Sequence, residues 1–219
     1  MRTLEPALRQ GLSSLALVLT DGQITHLLDY LELIQKWNKV YNLTAVRDPA
    51  EMLTHHLLDS LAVIAPLQRQ LAHAAAPGQV VRLLDVGSGA GLPGVVIAIC
   101  CPQVAVDCVD TVAKKAAFIR QVAATLRLPN LRGLHARVES LTDHYEVISS
   151  RAFASLADFT QWSEVALAEQ GVWLAMKGKH PADEIAALPA TIKVFHVEPL
   201  VVPGLAAERC IVWLHKSVT

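Results

Sequence analysis

A glycine-rich segment between two apolar runs carries the clearest chemical signal in this sequence. The segment reads Asp85-Val86-Gly87-Ser88-Gly89-Ala90-Gly91-Leu92-Pro93-Gly94, and an apolar run, Val95–Cys101, follows it. Glycines allow a sharp turn and let the backbone approach a ligand where a Cβ would collide. A helix that opens after such a turn presents N–H groups to a polar or negative ligand group. The segment therefore predicts a turn that binds a ligand through its backbone.

An acidic residue follows at the end of the next predicted strand. That residue is Asp110, and a carboxylate there can accept hydrogen bonds from both hydroxyl groups of a ribose. Gly89–Gly94 also matches the pattern G-x-G-x-x-G in its required context, after a strand and at the start of a helix. We therefore expect an adenosine-containing ligand. A tight turn beside a solvated Asp110 is the alternative.

The elements that must position these residues begin near residue 81, where short apolar runs start to alternate with helical patterns. The predicted strands lie near 81–86, 104–110, 131–136, 146–149, 171–176, 194–198 and 210–214. The predicted helices lie near 94–101, 112–126, 156–168 and 182–188. Such alternation indicates a mostly parallel sheet covered on both faces, and the last two strands are too close for a crossover helix. We predict an α/β fold with a doubly wound, seven-stranded sheet that ends in an antiparallel pair.

The periodicity before residue 75 is helical. Thr20 with Gln23 forms a capping-box pattern, and Asp48-Pro49 is a second helix-start signal. We therefore divide the chain into an N-terminal helical extension, residues 1–75, and a ligand-binding α/β domain, residues 76–219.

Composition excludes several classes of protein. The 219 residues include 19 basic and 20 acidic side chains, and a net charge of -1 does not suit a protein that coats nucleic acid through bulk charge. The longest apolar run is far shorter than the roughly 18 residues of a membrane-spanning helix. The four cysteines form no Cys-x-x-Cys pair, which favours buried thiols in a reducing cytoplasm. We expect a soluble protein with no membrane segment.

A dinucleotide-binding fold needs two mononucleotide-binding halves. The segment after residue 80 is long enough for only one sheet, which argues against a dinucleotide as the ligand. Asp85 directly before the glycine turn resembles the first motif of class I S-adenosylmethionine-dependent methyltransferases. The ribose acid, the seven strands and the antiparallel tail agree with that resemblance.

The residues of several stretches indicate one family within this class of methyltransferases. The chain resembles the bacterial small-subunit rRNA guanine-N7 methyltransferases (RsmG, formerly GidB) between residues 36 and 178. The matching stretches are 36–44, 47–49, 56–60, 85–94, 137–139, 150–154 and 177–178.

The resemblance implies methyl transfer from S-adenosylmethionine to N7 of a guanine in 16S rRNA. Because the net charge gives little affinity for naked RNA, we expect the substrate to be a small-subunit particle. We also expect a cytoplasmic monomer. Arg151 would be catalytic, where cofactor and guanine meet. The residues that would bind the cofactor are Gly87, Gly89, Gly91, Leu92, Asp110, Val138, Glu139 and again Arg151. The residues after Asp110 depart from the Ser-x-Gly of some family members.

The chemistry around Arg151 agrees with attack by N7, whose lone pair carries no proton and needs no general base. The fourth predicted strand ends in Ser149-Ser150-Arg151-Ala152-Phe153, which has neither the Asn/Asp-Pro-Pro-aromatic motif of amine methylation nor a nucleophilic cysteine. Arg151 could present the N7 edge, and a structural salt bridge is the alternative. A different acceptor, or a nucleotide-binding module without turnover, are the alternative functions.

Other candidates have an ordinary structural explanation beside the functional one. Lys114 and Lys115 could contact phosphate or lie on a solvated helix face, and Trp37 could contact RNA or anchor its helix. Phe153 could stack on an extruded base or belong to the core. Adjacent histidines on a helix, such as His55-His56, point about 100° apart, so we expect no metal site.

Overall fold

Helices fill the N-terminal third of the chain in a computed structural model, which describes residues 1–74, 80–151 and 154–217. They are α1 (Glu5–Ser14), α2 (Asp21–Tyr41), α3 (Pro49–Met52), α4 (Asp59–Leu61) and α5 (Ile64–Ala74). A short 3-10 helix, Arg2–Leu4, precedes α1, and a π-helical segment, Leu53–Leu58, joins α3 to α4.

Both predicted helix starts in this region are confirmed. The N–H of Gln23 donates to Thr20 Oγ1 at 3.2 Å, and the N–H of Thr20 donates to Gln23 Oε1 at 3.0 Å. The carboxylate of Asp48 accepts from the N–H groups of Ala50 and Glu51 at 2.9 and 3.0 Å. These bonds satisfy donors that the first helical turn leaves without a partner.

The π-helical segment was not predicted from the sequence. Its wider turn shifts the residues that follow relative to a regular α-helix, and π segments are frequent at functional sites. Here the segment contains His55 and His56 and ends directly before Asp59. All three line the cavity described below.

The strands form a single seven-stranded sheet with the order β3-β2-β1-β4-β5-β7-β6. The strands are β1 (Val81–Val86), β2 (Val104–Asp110), β3 (Leu131–His135), β4 (Tyr145–Arg151), β5 (Leu167–Lys177), β6 (Ile192–Leu200) and β7 (Arg209–Lys216). The helices between them are α6 (Gly94–Cys100), α7 (Ala113–Leu126), α8 (Leu156–Ser163) and α9 (Ala182–Ala186). The first five strands are parallel, and β7 pairs antiparallel with both β5 and β6, which confirms the predicted fold class.

The third predicted helix, residues 156–168, is too long. Helix α8 ends at Ser163, a 3-10 turn follows, and β5 begins at Leu167. The side chain of Ser163 accepts a 2.9 Å hydrogen bond from Trp173 Nε1, and Leu167 pairs with Tyr145 of β4. Strand pairing therefore overrides the helical periodicity of the last residues.

The N-terminal helices share one hydrophobic cluster with the sheet. Leu28 and Ile34 of α2 and Leu57 of the π segment lie in the same cluster as Ile97 and Val106. A second cluster, against α8, covers the other face. The predicted boundary between residues 75 and 76 lies outside the described residues, and the division into two domains stays a prediction.

Candidate active site

The glycine turn connects β1 to α6 through left-handed backbone conformations. Gly87, Gly89 and Gly91 have φ of 64°, 59° and 90°, a region that residues with a Cβ seldom adopt. A Cβ at Gly91 would lie 2.4 Å from Val95 Cγ2, so Gly91 also meets a packing requirement. Gly91 lines neither of the two cavities described below, unlike Gly87 and Gly89.

Asp85 lies buried beneath this turn and ties it to the sheet. Its Oδ2 accepts from the N–H of Gly94 and its Oδ1 accepts from the hydroxyl of Ser149, both at 3.0 Å. Burial raises the pKa of Asp85 from 3.8 to about 7, although both hydrogen bonds act in the opposite direction. Since the carboxylate occupies the N–H of Gly94, that group is not free for a ligand, contrary to the expectation for the start of this helix.

One cavity, of about 490 Å³, lies beside the ends of β1, β2 and β3 and is called the adenosine cavity below, after the ligand that the sequence predicts. It brings together four of the predicted cofactor residues, namely Gly87, Asp110, Val138 and Glu139. The other described lining residues are Val86, Val109, Thr111, Val112, Lys115, Ala136, Arg137 and Trp162.

Asp110 accepts hydrogen bonds within the protein that the sequence did not predict. Its Oδ2 accepts from the N–H of Gly89 at 3.1 Å and its Oδ1 accepts from the N–H of Val112 at 2.8 Å. Lys115 Nζ lies 3.4 Å from Oδ2. An ionised carboxylate offers about four acceptor positions, so each oxygen can accept another hydrogen bond. Asp110 can therefore hold the glycine turn and a ribose together.

Trp162 of α8 and Lys115 of α7 also line the adenosine cavity. No sequence signal distinguished Trp162 from a core aromatic residue. Lys115 faces Asp110 rather than open solvent, whereas Lys114 is exposed.

The second cavity, of about 510 Å³, lies between the N-terminal helices and the sheet and is called the acceptor cavity below. Four predicted residues line it: Gly87, Gly89, Leu92 and Arg151. The other described lining residues are Leu43, Thr44, His55, His56, Asp59, Ser88, Ala90, Met176, Lys177, Gly178 and Arg209. Gly87 lines both cavities, so the two cavities meet at the glycine turn.

A carboxylate from the N-terminal helices holds two arginines in the acceptor cavity. Asp59 Oδ2 accepts from Arg151 Nη1 at 2.9 Å, and Asp59 Oδ1 accepts from Arg209 Nε at 2.8 Å. The carbonyl oxygen of His55 accepts a further bond from Arg151 Nη1 at 3.0 Å. Arg151 therefore forms the salt bridge considered as an alternative and lines the cavity as well. Asp59 belongs to a stretch that carries the family resemblance, but its partners could not be read from it.

His56 is a neutral residue of the acceptor cavity. Its Nε2 lies 2.9 Å from Thr44 Oγ1. Burial, together with the positive charge of Arg151, lowers the pKa of His56 from 6.5 to about 4. Asn38 of α2 fixes this arrangement, because its Oδ1 accepts from the N–H of Thr44 at 2.9 Å.

Trp37 is the tertiary anchor of α2. Its ring lies 5.3 Å from that of Phe118 on α7 and 5.0 Å from that of Tyr41, measured between centroids. Exposed side chains nearby include those of Lys36, Lys39, Val40 and Tyr41.

The structure also bears on metal ligands, membrane-spanning helices and the cysteines. The part of the chain that the structure describes contains no group of three His, Cys, Asp or Glu side chains that could hold a metal ion. No described helix has both the length and the hydropathy needed to cross a membrane. All four cysteines are buried free thiols. Phe153 lies outside the described residues.

Several solved structures are similar to this chain in fold. TrmN from Thermus thermophilus matches with a TM-score of 0.55 at 21% identity, covering 75% of this chain and 53% of that one. A ribosomal protein L11 methylase from Lactobacillus delbrueckii matches with a TM-score of 0.53 at 14% identity, covering 74% of this chain and 77% of that one. At these identities the likeness shows the fold alone.

Sequence relatives are far closer. Ribosomal RNA small subunit methyltransferase G of Albidiferax ferrireducens is 75% identical over 99% of both chains. The protein of the same name from Acidovorax ebreus is 69% identical over 97% of this chain and 95% of its own length. The sequence model of the family described as rRNA small subunit methyltransferase G (GidB) matches residues 23–212, which include both cavities' described lining residues. The chain therefore belongs to the rRNA small subunit methyltransferase G family.

Proposed function

We propose that this protein transfers a methyl group from S-adenosylmethionine to N7 of a guanine in 16S rRNA. The observation that carries the proposal is the meeting of two cavities at Gly87, in a chain of this family. One cavity has the ribose acid and the other has room and positive charge for a nucleotide. A methyl donor that spans Gly87 would have its reactive end at the junction.

The residues of the adenosine cavity fit S-adenosylmethionine. Asp110 retains acceptor positions for the two ribose hydroxyls, and Val138 and Glu139 line the same cavity for the adenine. Gly89 has a positive φ, and a Cβ added there would meet only the Gly87 carbonyl oxygen at 4.0 Å, which leaves space for a ligand against the turn. When bound, the cofactor supplies a methyl group on a positively charged sulfur.

The acceptor cavity is suited to an attacking atom that carries no proton. Asp59 is the one carboxylate residue among the described lining residues, and each of its oxygens accepts from an arginine. His56, with its lowered pKa, is a weak base at neutral pH. Guanine N7 needs no base, whereas an exocyclic amine must lose a proton. The protein's contribution is to bind, orient and exclude water.

Tritiated methyl transfer to RNA, followed by nucleoside analysis, tests the function. We expect label in 7-methylguanosine from 16S rRNA, and loss of that nucleoside from the rRNA of cells that lack the protein. Label in another nucleoside would indicate a different acceptor. Cofactor binding without transfer to rRNA or ribosomal particles would indicate a module without turnover.

The proposed substrate is a small-subunit ribosomal particle rather than free rRNA. With a net charge of -1 the protein gains little affinity from counterion release along naked RNA. A folded target that presents one guanine beside a matching surface would supply the missing specificity. We expect the protein to act as a monomer, and a ribosomal substrate together with four free thiols supports the cytoplasm.

Methyl incorporation into purified 30S particles and into deproteinised 16S rRNA, at one salt concentration, tests the particle preference. We expect a much higher rate on the particle. Equal rates would overturn this part of the proposal and would indicate that a short RNA element carries all the recognition.

A further inference from the structure

We propose that Arg151, held in place by Asp59, recognises the O6 atom of the target guanine and thereby selects guanine over adenine. The inference rests on the proposed function and deepens it. It specifies the atom through which Arg151 would present the N7 edge of the base, the role that the sequence suggested for this residue. A donor on N7 would occupy the lone pair that must form the bond to the methyl carbon.

Arg151 retains several hydrogen-bond donors that could bind a ligand. A guanidinium carries five N–H groups in a fixed plane. Nη1 donates its two N–H groups to Asp59 Oδ2 and to the carbonyl oxygen of His55. Nε and Nη2 donate to none of the described residues, and the side chain of Arg151 is 22% exposed in a cavity wall. Three donors in one plane therefore remain for a ligand.

Arg151 lines the acceptor cavity close to the point where the two cavities meet. Ser150 pairs with Val86 of β1, so Arg151, one residue further on, ends β4 beside Gly87. Gly87 is the residue that both cavities share. A base whose N7 meets the methyl group there has O6 as the neighbouring atom on the same edge. Guanine has an acceptor at this position, whereas adenine has an amine that would face the arginine's donors.

Asp59 acts as a positioning residue for Arg151. Its side chain is 4% exposed, and its two oxygens bind two arginines that come from β4 and β7. Without the carboxylate, two guanidinium groups would share the cavity with no counterion and would repel each other. During transfer the N7–carbon bond forms while the sulfur–carbon bond breaks, and the electron pair of that bond stays on sulfur. Positive charge moves onto the guanine, and the Asp59 carboxylate offsets the charge of the arginines beside it.

The test compares three nucleosides at the target position, mapped beforehand by nucleoside analysis, in reconstituted 30S particles. Guanosine has O6 and a 2-amino group, 2-aminopurine riboside lacks O6, and inosine lacks the 2-amino group, while all three keep N7. With the wild-type protein we expect 2-aminopurine to be methylated about tenfold to a hundredfold more slowly than guanosine, the loss of one charge-assisted hydrogen bond. Inosine should be slowed much less than 2-aminopurine.

Variants assign the discrimination to the two residues. Arg151→Met should bring guanosine and 2-aminopurine to within about threefold of each other, while S-adenosylhomocysteine still binds. Asp59→Asn should lower the discrimination in the same direction, and Asp59→Glu should restore part of it. The control is Arg69→Met, which removes an ion pair with Glu198 between α5 and β6 and should keep the wild-type ratio. The ratio is internal to each variant, so a partly active variant still reports it.

Three results would overturn the inference: equal rates of the wild-type protein on guanosine and 2-aminopurine, undiminished discrimination by Arg151→Met, or undiminished discrimination by Asp59→Asn. Loss of S-adenosylhomocysteine affinity in Arg151→Met, with discrimination kept, would assign Arg151 to the cofactor instead. Wild-type label in a nucleoside other than 7-methylguanosine would contradict the proposed function itself, and the inference with it.

Discussion

The hydroxyl of Tyr30 donates a 2.6 Å hydrogen bond to the carbonyl oxygen of Ala90. Tyr30 is fully buried in α2, and burial raises the pKa of its hydroxyl, so it remains a donor. Its oxygen also lies 3.4 Å from the position of a Cβ at Gly91. The N-terminal helices therefore support the glycine turn of the cofactor site directly, in addition to walling the acceptor cavity.

Replacing Tyr30 by Phe should loosen that turn. The change leaves the buried carbonyl of Ala90 without this donor, which costs about 1–3 kcal/mol. We expect the free energy of unfolding in urea to fall by that amount and S-adenosylhomocysteine to bind more weakly in calorimetry. Tyr41→Phe, at an exposed position of the same helix, is the control and should change little. Equal effects of the two variants would contradict the role of Tyr30.

Asp110→Asn should weaken cofactor binding more than it weakens the fold. Asn keeps the size but can accept from only one of the N–H groups of Gly89 and Val112, so part of the stability is lost as well. The charged acceptor bonds to the ribose contribute roughly 1.5–3 kcal/mol each. We expect S-adenosylhomocysteine to bind at least about tenfold more weakly by calorimetry. Asp110→Ala should also lower stability, because it removes the bonds to Gly89 and Val112. Unchanged affinity in Asp110→Asn would count against the ribose assignment.

Asp85 should make the protein less stable as the pH rises. Its pKa is 3.8 ordinarily and about 7 in the fold, so between these values the folded protein holds a proton that the unfolded chain has released. The contribution of Asp85 to the free energy of unfolding is therefore fully present below about pH 4 and is lost as the pH rises to about 7. Urea unfolding at several pH values should show a loss of a few kcal/mol relative to Asp85→Asn. Parallel pH profiles of the two proteins would rule out the raised pKa.

His56 should make the protein less stable as the pH falls, over much of the same pH range. Its pKa falls from 6.5 to about 4 in the fold, so the unfolded chain binds a proton that the folded protein excludes. Stability from this group is present above about pH 6.5 and is lost as the pH falls towards 4. In His56→Gln that loss on acidification should disappear, whereas His55→Gln, at the exposed neighbour, should keep it. The same profile in both variants would contradict this assignment.

Lys36 and Lys39 should contribute to the encounter with the ribosomal particle. Both are exposed at the C-terminal end of α2, beside the segment that carries Leu43 and Thr44 into the acceptor cavity. The double change to Ala should lower kcat/KM on 30S particles and reduce its salt dependence, with cofactor affinity unchanged. Lys193→Ala, at an exposed position of β6, is the control. Equal kcat/KM for the double variant and the wild-type protein would contradict the contact.

The sequence by itself determined the fold class and the glycine turn at the end of β1. The alternation of apolar runs with helical patterns predicted the sheet, its seven strands and its antiparallel tail, and the structure has all three. The glycines at 87, 89 and 91 and the acid at 110 were predicted because backbone conformation and strand ends leave a local signature. These signals depend on neighbours within a few residues, so they survive without knowledge of the packing.

Only the tertiary structure decided what surrounds Arg151 and what supports the turn. Asp59 binds arginines 92 and 150 positions away, and Tyr30 binds a carbonyl 60 positions away. No periodicity links residues so far apart, and an aspartate or tyrosine on a helix has many possible partners until the helix is packed. The end of α8 was misjudged for the same reason, since pairing of Leu167 with Tyr145 outweighs local helical pattern. Long-range hydrogen bonds and strand register exist only in the packed chain. Once buried, they contribute more to stability than the local preference for helix, and they therefore override it.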